Sequence, residues 1–280
     1  MSTVNPTYAK NSLANPSNGM HRDTAIETID VVKDYGSGEN TVHALRGVNV
    51  AFERGKFTAI MGPSGSGKST LMHTLAGLDS VSHGKIVFSG FDITSMNDTD
   101  LTMLRRHRIG FIFQSFNLLP MFTAKQNILM PLTLSGGKVD KQWFRMLTET
   151  LGLKDRLSHR PNELSGGQQQ RVAIARALIT KPDVVFADEP TGNLDSVSSA
   201  EVLGFLKKSV TDFGQTIIMV THDAVAASYA DRAIVFADGN IVADETNPNP
   251  DRMNDLLMQE RRRSLAQQTV TSQVNSALIR

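Results

Sequence analysis

The stretch Gly62-Pro63-Ser64-Gly65-Ser66-Gly67-Lys68-Ser69-Thr70 carries the groups that hold a phosphate chain. It reads G-x-x-x-x-G-K-[ST] directly after an apolar run, Phe57 to Met61, which is the strand-to-helix setting such a loop requires. Glycines let backbone N–H groups turn inward as an anion nest, and a helix opening at Lys68 aims its positive end at the same point. Lys68 then reaches the β- and γ-phosphates. The Ser69 hydroxyl is offered to Mg2+, which takes oxygen ligands beside nucleotide phosphates.

Three further apolar runs end in residues able to act on a nucleotide. Val184–Ala187 ends in Asp188 and Glu189, and strand alternation is expected to send the two carboxylates to opposite faces and so to different roles. Asp188 completes the Mg2+ shell through Ser69 and water, and Glu189 is left to orient or deprotonate an attacking water. Thr216–Val220 runs into Thr221-His222-Asp223, placing an imidazole at the same carboxyl edge. Ile109–Phe113 runs into Gln114, whose amide has two uses open to it, Mg2+ or the attacking water. A second glycine-rich loop, Leu164-Ser165-Gly166-Gly167-Gln168, precedes a helix with Val172, Ala175 and Ile179 on its apolar face, and so makes a second anion site. One ATP has no use for two γ-phosphate sites in one subunit, so the two loops are expected to serve different chains. Tyr35, in the turn Asp34–Asn40, either stacks on an adenine face, worth about 1–3 kcal/mol per base, or caps a hairpin.

These groups need a framework. Short strands are expected around Ile26–Val31 and Val48–Phe52, a helix over Ser69–Leu78 with Leu71, Leu75 and Leu78 on one face, a strand at Gly84–Phe88 and a short polar helix at Thr99–His107. From Asn117 to Asn162 the pattern is helical, with Trp143 expected as a packing residue. After the polar turn Gly192-Asn193-Leu194-Asp195 comes an amphipathic helix at Ser198–Phe213, and Arg232–Phe236 with Ile241–Ala243 reads as a closing hairpin. Residues 1–24 are expected to be a disordered tail without the apolar segment of a secretory signal, 25–250 the nucleotide-binding domain with a helical insertion at about 115–165, and 251–280 a helical or disordered extension.

The chain has 280 residues, 40% of them hydrophobic and 20% charged, enough for one large α/β domain with a substantial core. A net charge of +1 supplies no global field for nucleic acid or membrane. The lack of cysteine excludes disulfides, a thiolate nucleophile and Cys-ligated zinc, which suits a reducing cytoplasm. No apolar run reaches the roughly 18 residues needed to span a bilayer.

In the order and content of these motifs, residues 26–245 resemble the ATP-binding subunits of ABC transporters. That resemblance implies a P-loop, RecA-like α/β core carrying an antiparallel β subdomain and an α-helical subdomain. It labels Tyr35 as the adenine-stacking residue, Gly62–Thr70 as Walker A, Gln114 as the Q-loop, Leu164–Gln168 as the signature, Asp188 and Glu189 as the Walker B pair, Asn193–Asp195 as the D-loop and His222 as the switch histidine. It implies ATP and Mg2+ as ligands, with Ser69, Gln114 and Asp188 at the metal and Asp195 beside the nucleotide. The partners implied are a second copy in a head-to-tail ATP sandwich and an integral membrane permease at the inner face of the cell membrane. ADEPTGNLDS and VTHD further resemble the subgroup of the MacB, LolD and FtsE ATPases. The subgroup implies an ATP-driven motor that powers a permease for efflux of drugs or peptides or for lipoprotein release; the alternative is an FtsE-like motor that transports nothing and activates envelope hydrolases through an FtsX-like permease. An ABC ATPase acting on DNA or ribosomes would need paired nucleotide domains, a coiled-coil insertion or a basic groove, none of which is present, so no nucleic-acid partner is expected. One departure is Gln126 in Thr123-Ala124-Lys125-Gln126-Asn127-Ile128, where the family commonly has glutamate.

Overall fold

The computed structural model describes residues 23–263, and in it the apolar runs lie side by side in one sheet. In chain order the strands are β1 (Thr24–Tyr35), β2 (Val42–Glu53), β3 (Phe57–Met61), β4 (His83–Phe88), β5 (Phe91–Asp92), β6 (Ile109–Phe113), β7 (Val184–Asp188), β8 (Thr216–Val220), β9 (Arg232–Ala237) and β10 (Asn240–Thr246). The helices are α1 (Lys68–Leu75), α2 (Asp98–Arg108), α3 (Ala124–Ser135), α4 (Lys141–Thr150), α5 (Gly166–Leu178), α6 (Ser196–Phe213) and the short α7 (Ala224–Ala227), followed by a helix over 250–263. Among the described residues no helix is long and apolar enough to cross a membrane. Nearly all of the expected tail, 1–22, and the end of the expected extension, 264–280, lie outside the described residues.

The central sheet has the order β10-β9-β3-β8-β7-β6, parallel from β9 to β6 with β10 returning antiparallel. Both its faces are covered, which is why its inner strands are apolar at nearly every position. Alternation sends Ala59, Val185 and Met219 into a core shared with α5 and α6, and Ile60, Phe186 and Ile218 into one shared with α1 and the second sheet. That second sheet, β2-β1-β4-β5, is antiparallel. Phe186 is fully buried and stacks on Phe111 with ring centroids 5.8 Å apart. Phe186→Ala is expected to destabilise the fold by about 3–5 kcal/mol, read as a lowered denaturant midpoint with an unchanged slope.

Two expectations need correcting. β1 and β2 are each 12 residues long, not short strands, because the ladder continues through bulges to the Tyr35–Val42 pair. The helix after the phosphate loop stops at Leu75, since Gly77 takes φ +61 and turns the chain away, and Leu78 is 49% exposed instead of lying on the apolar face. Between β6 and β7 the chain is helical. Here Gln126 fills the capping role at the start of α3, accepting from the Thr123 N–H at 2.9 Å while its own N–H donates to Thr123 Oγ1 at 3.3 Å. Trp143 packs edge-on against Phe213 and donates its indole N–H to the Leu178 carbonyl at 3.1 Å.

Candidate active site

Parallel register brings four chain segments to one sheet edge. Ile60 and Asp188 both pair with Val220, and Phe113 pairs with Asp188, so the segments starting at Gly62, Thr221, Glu189 and Gln114 leave the sheet at the same level. Open α/β sheets bind ligands outside this carboxyl edge.

The phosphate loop is held where only glycine fits at two places. Gly62 has φ +152 and a Cβ there would run into the Phe236 carbonyl oxygen; Gly67 has φ +103 and a Cβ there would run into the Ala44 carbonyl oxygen. Gly67 is also the N-cap of α1 and supplies no side-chain acceptor, so the first-turn N–H groups of α1 are left for an anion. Ser64, Gly65 and Ser69 are open to solvent, Pro63 and Thr70 half-buried and Ser66 buried. Lys68 curls over the loop, its Nζ donating to the Pro63 carbonyl at 2.7 Å with Ser66 Oγ at 3.5 Å. Burial pushes the Lys68 ammonium below its ordinary pKa, and the carboxylates of Glu189 and Asp188 pull against that shift.

Asp188 ends β7, and burial raises its carboxyl above the ordinary range, with Glu189 adding to the effect and His73 and Lys68 opposing it. Glu189 is separated from it by a backbone turn and not by strand alternation, a correction to the sequence reading. Its φ is +46, its N–H donates to the Val220 carbonyl at 2.9 Å, and a non-glycine residue held there costs about 1–3 kcal/mol. The turn places Glu189 Oε1 2.8 Å from His222 Nδ1. Gln114 Nε2 donates to Asn193 Oδ1 at 3.3 Å and Asn193 Nδ2 donates to the Gln114 carbonyl at 3.1 Å, tying two loops that lie 79 positions apart.

The second glycine-rich loop borders the Asn193 end of this group, Gly166 lying against Phe116, Asn193 and Leu194. Ser165 and Gln168 form a capping box, Ser165 Oγ accepting from the Gln168 N–H at 3.3 Å and the Ser165 N–H donating to Gln168 Oε1 at 3.0 Å, while Gly166 and Gly167 border Leu194 and Ser198. Among the described residues no hydrogen bond joins it to the phosphate loop. Asp195 caps α6, accepting from the N–H groups of Val197 and Ser198 at 3.0 and 2.9 Å, and the Ser198 bonds hold its carboxyl below the usual range. Tyr35, at the end of β1, is bound through its hydroxyl to Asp79 Oδ2 at 2.6 Å.

Several contacts were not read from the sequence. The buried Arg176 donates to the Asn117 and Phe116 carbonyls at 2.5 and 2.9 Å, fixing consecutive residues whose φ values of +49 and +59 are both left-handed. Gln170, fully buried, donates to the Pro190 carbonyl at 2.5 Å, linking α5 to the turn after Glu189. The signal was present in Arg176, a charge on the apolar stripe of Val172, Ala175 and Ile179.

The family model described as ABC transporter matches residues 45–192. The chain is 47% identical over 220 residues to the macrolide export ATP-binding/permease protein MacB of Bdellovibrio bacteriovorus, a match covering 79% of this chain but about a third (34%) of that protein. It is 46% identical over 221 residues to the lipoprotein-releasing system ATP-binding protein LolD of Geobacter metallireducens, covering 78% of this chain and 98% of that one. A solved dimeric ATP-binding cassette in a post-hydrolysis state, bound to ADP and Pi, superposes with a TM-score of 0.71 at 39% identity over 80% of this chain and 99% of its own. With a family match over more than half its length and a relative matched almost end to end, the chain belongs to the ABC transporter family as an ATP-binding, ATP-hydrolysing subunit.

Proposed function

We propose that the chain powers a membrane permease from its cytoplasmic face, working as a head-to-tail homodimer with ATP between Gly62–Thr70 of one subunit and Ser165–Gly167 of the other. In this reading 25–250 is the nucleotide-binding domain, with the helical insertion at about 115–165 and an extension from 251. The loop N–H groups and Lys68 bind the β- and γ-phosphates, and Tyr35 stacks on adenine. Glu189 orients the attacking water and takes its proton, and His222 orients Glu189 through their shared hydrogen bond and faces the γ-phosphate. The donor set fits Mg2+: the Ser69 hydroxyl, the Asp188 carboxylate and the Gln114 amide all offer oxygen, and a divalent charge would relieve the burial that raises Asp188. Those three residues would hold the ion, which supplies charge neutralisation at the phosphates. The observation that carries the reading is the meeting of Lys68, Asp188 and the Glu189–His222 pair at the uncapped start of α1. The two-chain site is supported by the lack, among the described residues, of any hydrogen bond from Ser165–Gly167 to the phosphate loop of the same chain and by the dimeric cassette matched above.

The adenine role is tested by ATP affinity. Tyr35→Ala should weaken binding by about 1–3 kcal/mol and Tyr35→Trp should largely preserve it; equal affinities for the two would show that the ring does not stack.

The MacB and LolD names support a permease partner. For its docking place we point to the loop after Gln114 and the adjoining groove. Met121 is 70% exposed and Leu134 67%, Leu119 is exposed, and a groove of about 450 Å3 between α2 and α3 is lined by Phe111, Met130, Pro131 and Arg176. Buried Asn127 holds this loop's shape, donating to the carbonyls of Leu119, Phe122 and Thr123. Leu119→Glu or Met121→Glu should leave the ATPase rate of the isolated subunit near normal and abolish co-purification with the permease. Unchanged recovery from solubilised membranes would place docking elsewhere.

A further inference from the structure

The contacts of Tyr35 do more than anchor a surface ring. Lys33 lies two residues earlier on the same face of β1 and is itself buried. Its Nζ sits 4.8 Å from the centroid of the Tyr35 ring, donates to Asp79 Oδ1 at 2.7 Å and donates to the Ser80 carbonyl at 2.6 Å. The second oxygen of the same Asp79 carboxylate accepts the Tyr35 hydroxyl at 2.6 Å. One carboxylate therefore spans an ammonium over the ring and the phenol at its tip, which fixes both the position of the ring and its tilt. The cation covers one face and leaves the other for a flat partner.

The anchor is also tied to the phosphate end of the site. Asp79 follows the last turn of α1, its N–H reaching back to the His73 carbonyl at 3.3 Å, and α1 opens with Lys68, Ser69 and Thr70. The Thr70 hydroxyl lies beside the same phenol. Burial first, then Asp79, lifts the Tyr35 phenol above its ordinary pKa, so it stays a donor. Against its own burial, bonds from Lys33 and Tyr35 hold the Asp79 carboxyl below the usual range, so it stays an acceptor.

We propose that Asp79, together with Lys33, is a positioning residue for nucleotide recognition: it locks Tyr35 as a one-faced platform in register with the phosphate loop, so that the Tyr35 hydroxyl contributes to ATP affinity as well as the ring. This rests on the reading of Tyr35 as the adenine-stacking residue. Asp79 does not touch the nucleotide; it acts through the phenol.

The test compares ATP dissociation constants, by equilibrium dialysis with labelled ATP, for the full chain and for Tyr35→Ala, Tyr35→Phe, Asp79→Asn and the Tyr35→Phe/Asp79→Asn double variant. Tyr35→Phe keeps the ring and the Lys33–Asp79 pair and removes only the bond to the carboxylate. It should weaken ATP binding about three- to tenfold, the size of a charge-assisted hydrogen bond partly offset by water, and should raise KM for ATP while changing kcat less than about twofold. Asp79→Asn should weaken binding in the parent chain and add nothing to Tyr35→Phe, because its effect passes through the hydroxyl. If Tyr35→Phe binds ATP like the parent while Tyr35→Ala does not, the ring stacks but the lock is refuted. An equal cost of Asp79→Asn with and without Tyr35→Phe refutes it too. If even Tyr35→Ala binds ATP like the parent, the stacking reading falls and the lock with it. Asp79→Asn leaves buried Lys33 without its counter-charge, with the Ser80 carbonyl still accepting from it, and so strains the fold; Tyr35→Phe alone carries the test if that variant is too unstable to purify.

Discussion

Glu189→Gln is expected to bind ATP with near-parental affinity and to hydrolyse it about 100- to 10,000-fold more slowly, the range that removal of a general base produces. The amide keeps the length of the side chain and can still bond to His222, so the left-handed turn at Glu189 and the surrounding loops need not move. It cannot accept the proton of the attacking water. Single-turnover phosphate release at saturating ATP is the measurement. Near-parental release with intact binding would remove Glu189 from the chemistry and leave it a structural partner of His222.

Asp188→Asn should abolish Mg2+-dependent hydrolysis and, in the opposite direction, raise the thermal stability of the nucleotide-free protein at neutral pH. The sign follows from the raised carboxyl: a group whose folded pKa exceeds its unfolded one contributes its stability in full below the unfolded value and loses it as the pH rises through the folded value. At neutral pH Asp188 is therefore a cost of keeping a buried oxygen ready for a cation, and the amide removes it. The Tm gap between Asp188→Asn and the parent should narrow as the pH falls below the raised pKa of Asp188 and close once it is below the ordinary aspartate value of 3.8. A variant that melts below the parent at neutral pH would show that the carboxylate serves the fold and not a cation.

The chemistry at the sheet edge was legible for a physical reason. Parallel strands buried on both faces must be apolar at successive positions, so β3, β6, β7 and β8 stand out as runs, and the first polar residue after each marks where the chain leaves the sheet. The order in which those strands stand was not legible, since nothing within Phe57–Met61 records that its neighbours are β8 and β9. β1 was misjudged as short because its outer half alternates with solvated residues and continues through bulges, which blur a period of two. The turn at Glu189 escaped because a glutamate followed by proline carries no local mark of a left-handed conformation, which tertiary contacts impose. The same holds for Asp79. Its significance lies in two side chains from β1, 44 and 46 positions away, and a lone aspartate after a helix is ordinarily solvated. Leu78 failed for the converse reason: its spacing continues the apolar stripe of α1, but Gly77 ends the helix before the stripe reaches it.

Whether the ATP site is shared between two chains is decided by light scattering on Glu189→Gln. With ATP its mass should double and should return to that of a single chain when ATP is removed. Adding Ser165→Phe, which fills the loop meant for the partner's γ-phosphate, should keep the mass at one chain while dialysis still shows bound ATP. A single-chain mass for Glu189→Gln at saturating ATP, with nucleotide demonstrably bound, would contradict the two-chain site.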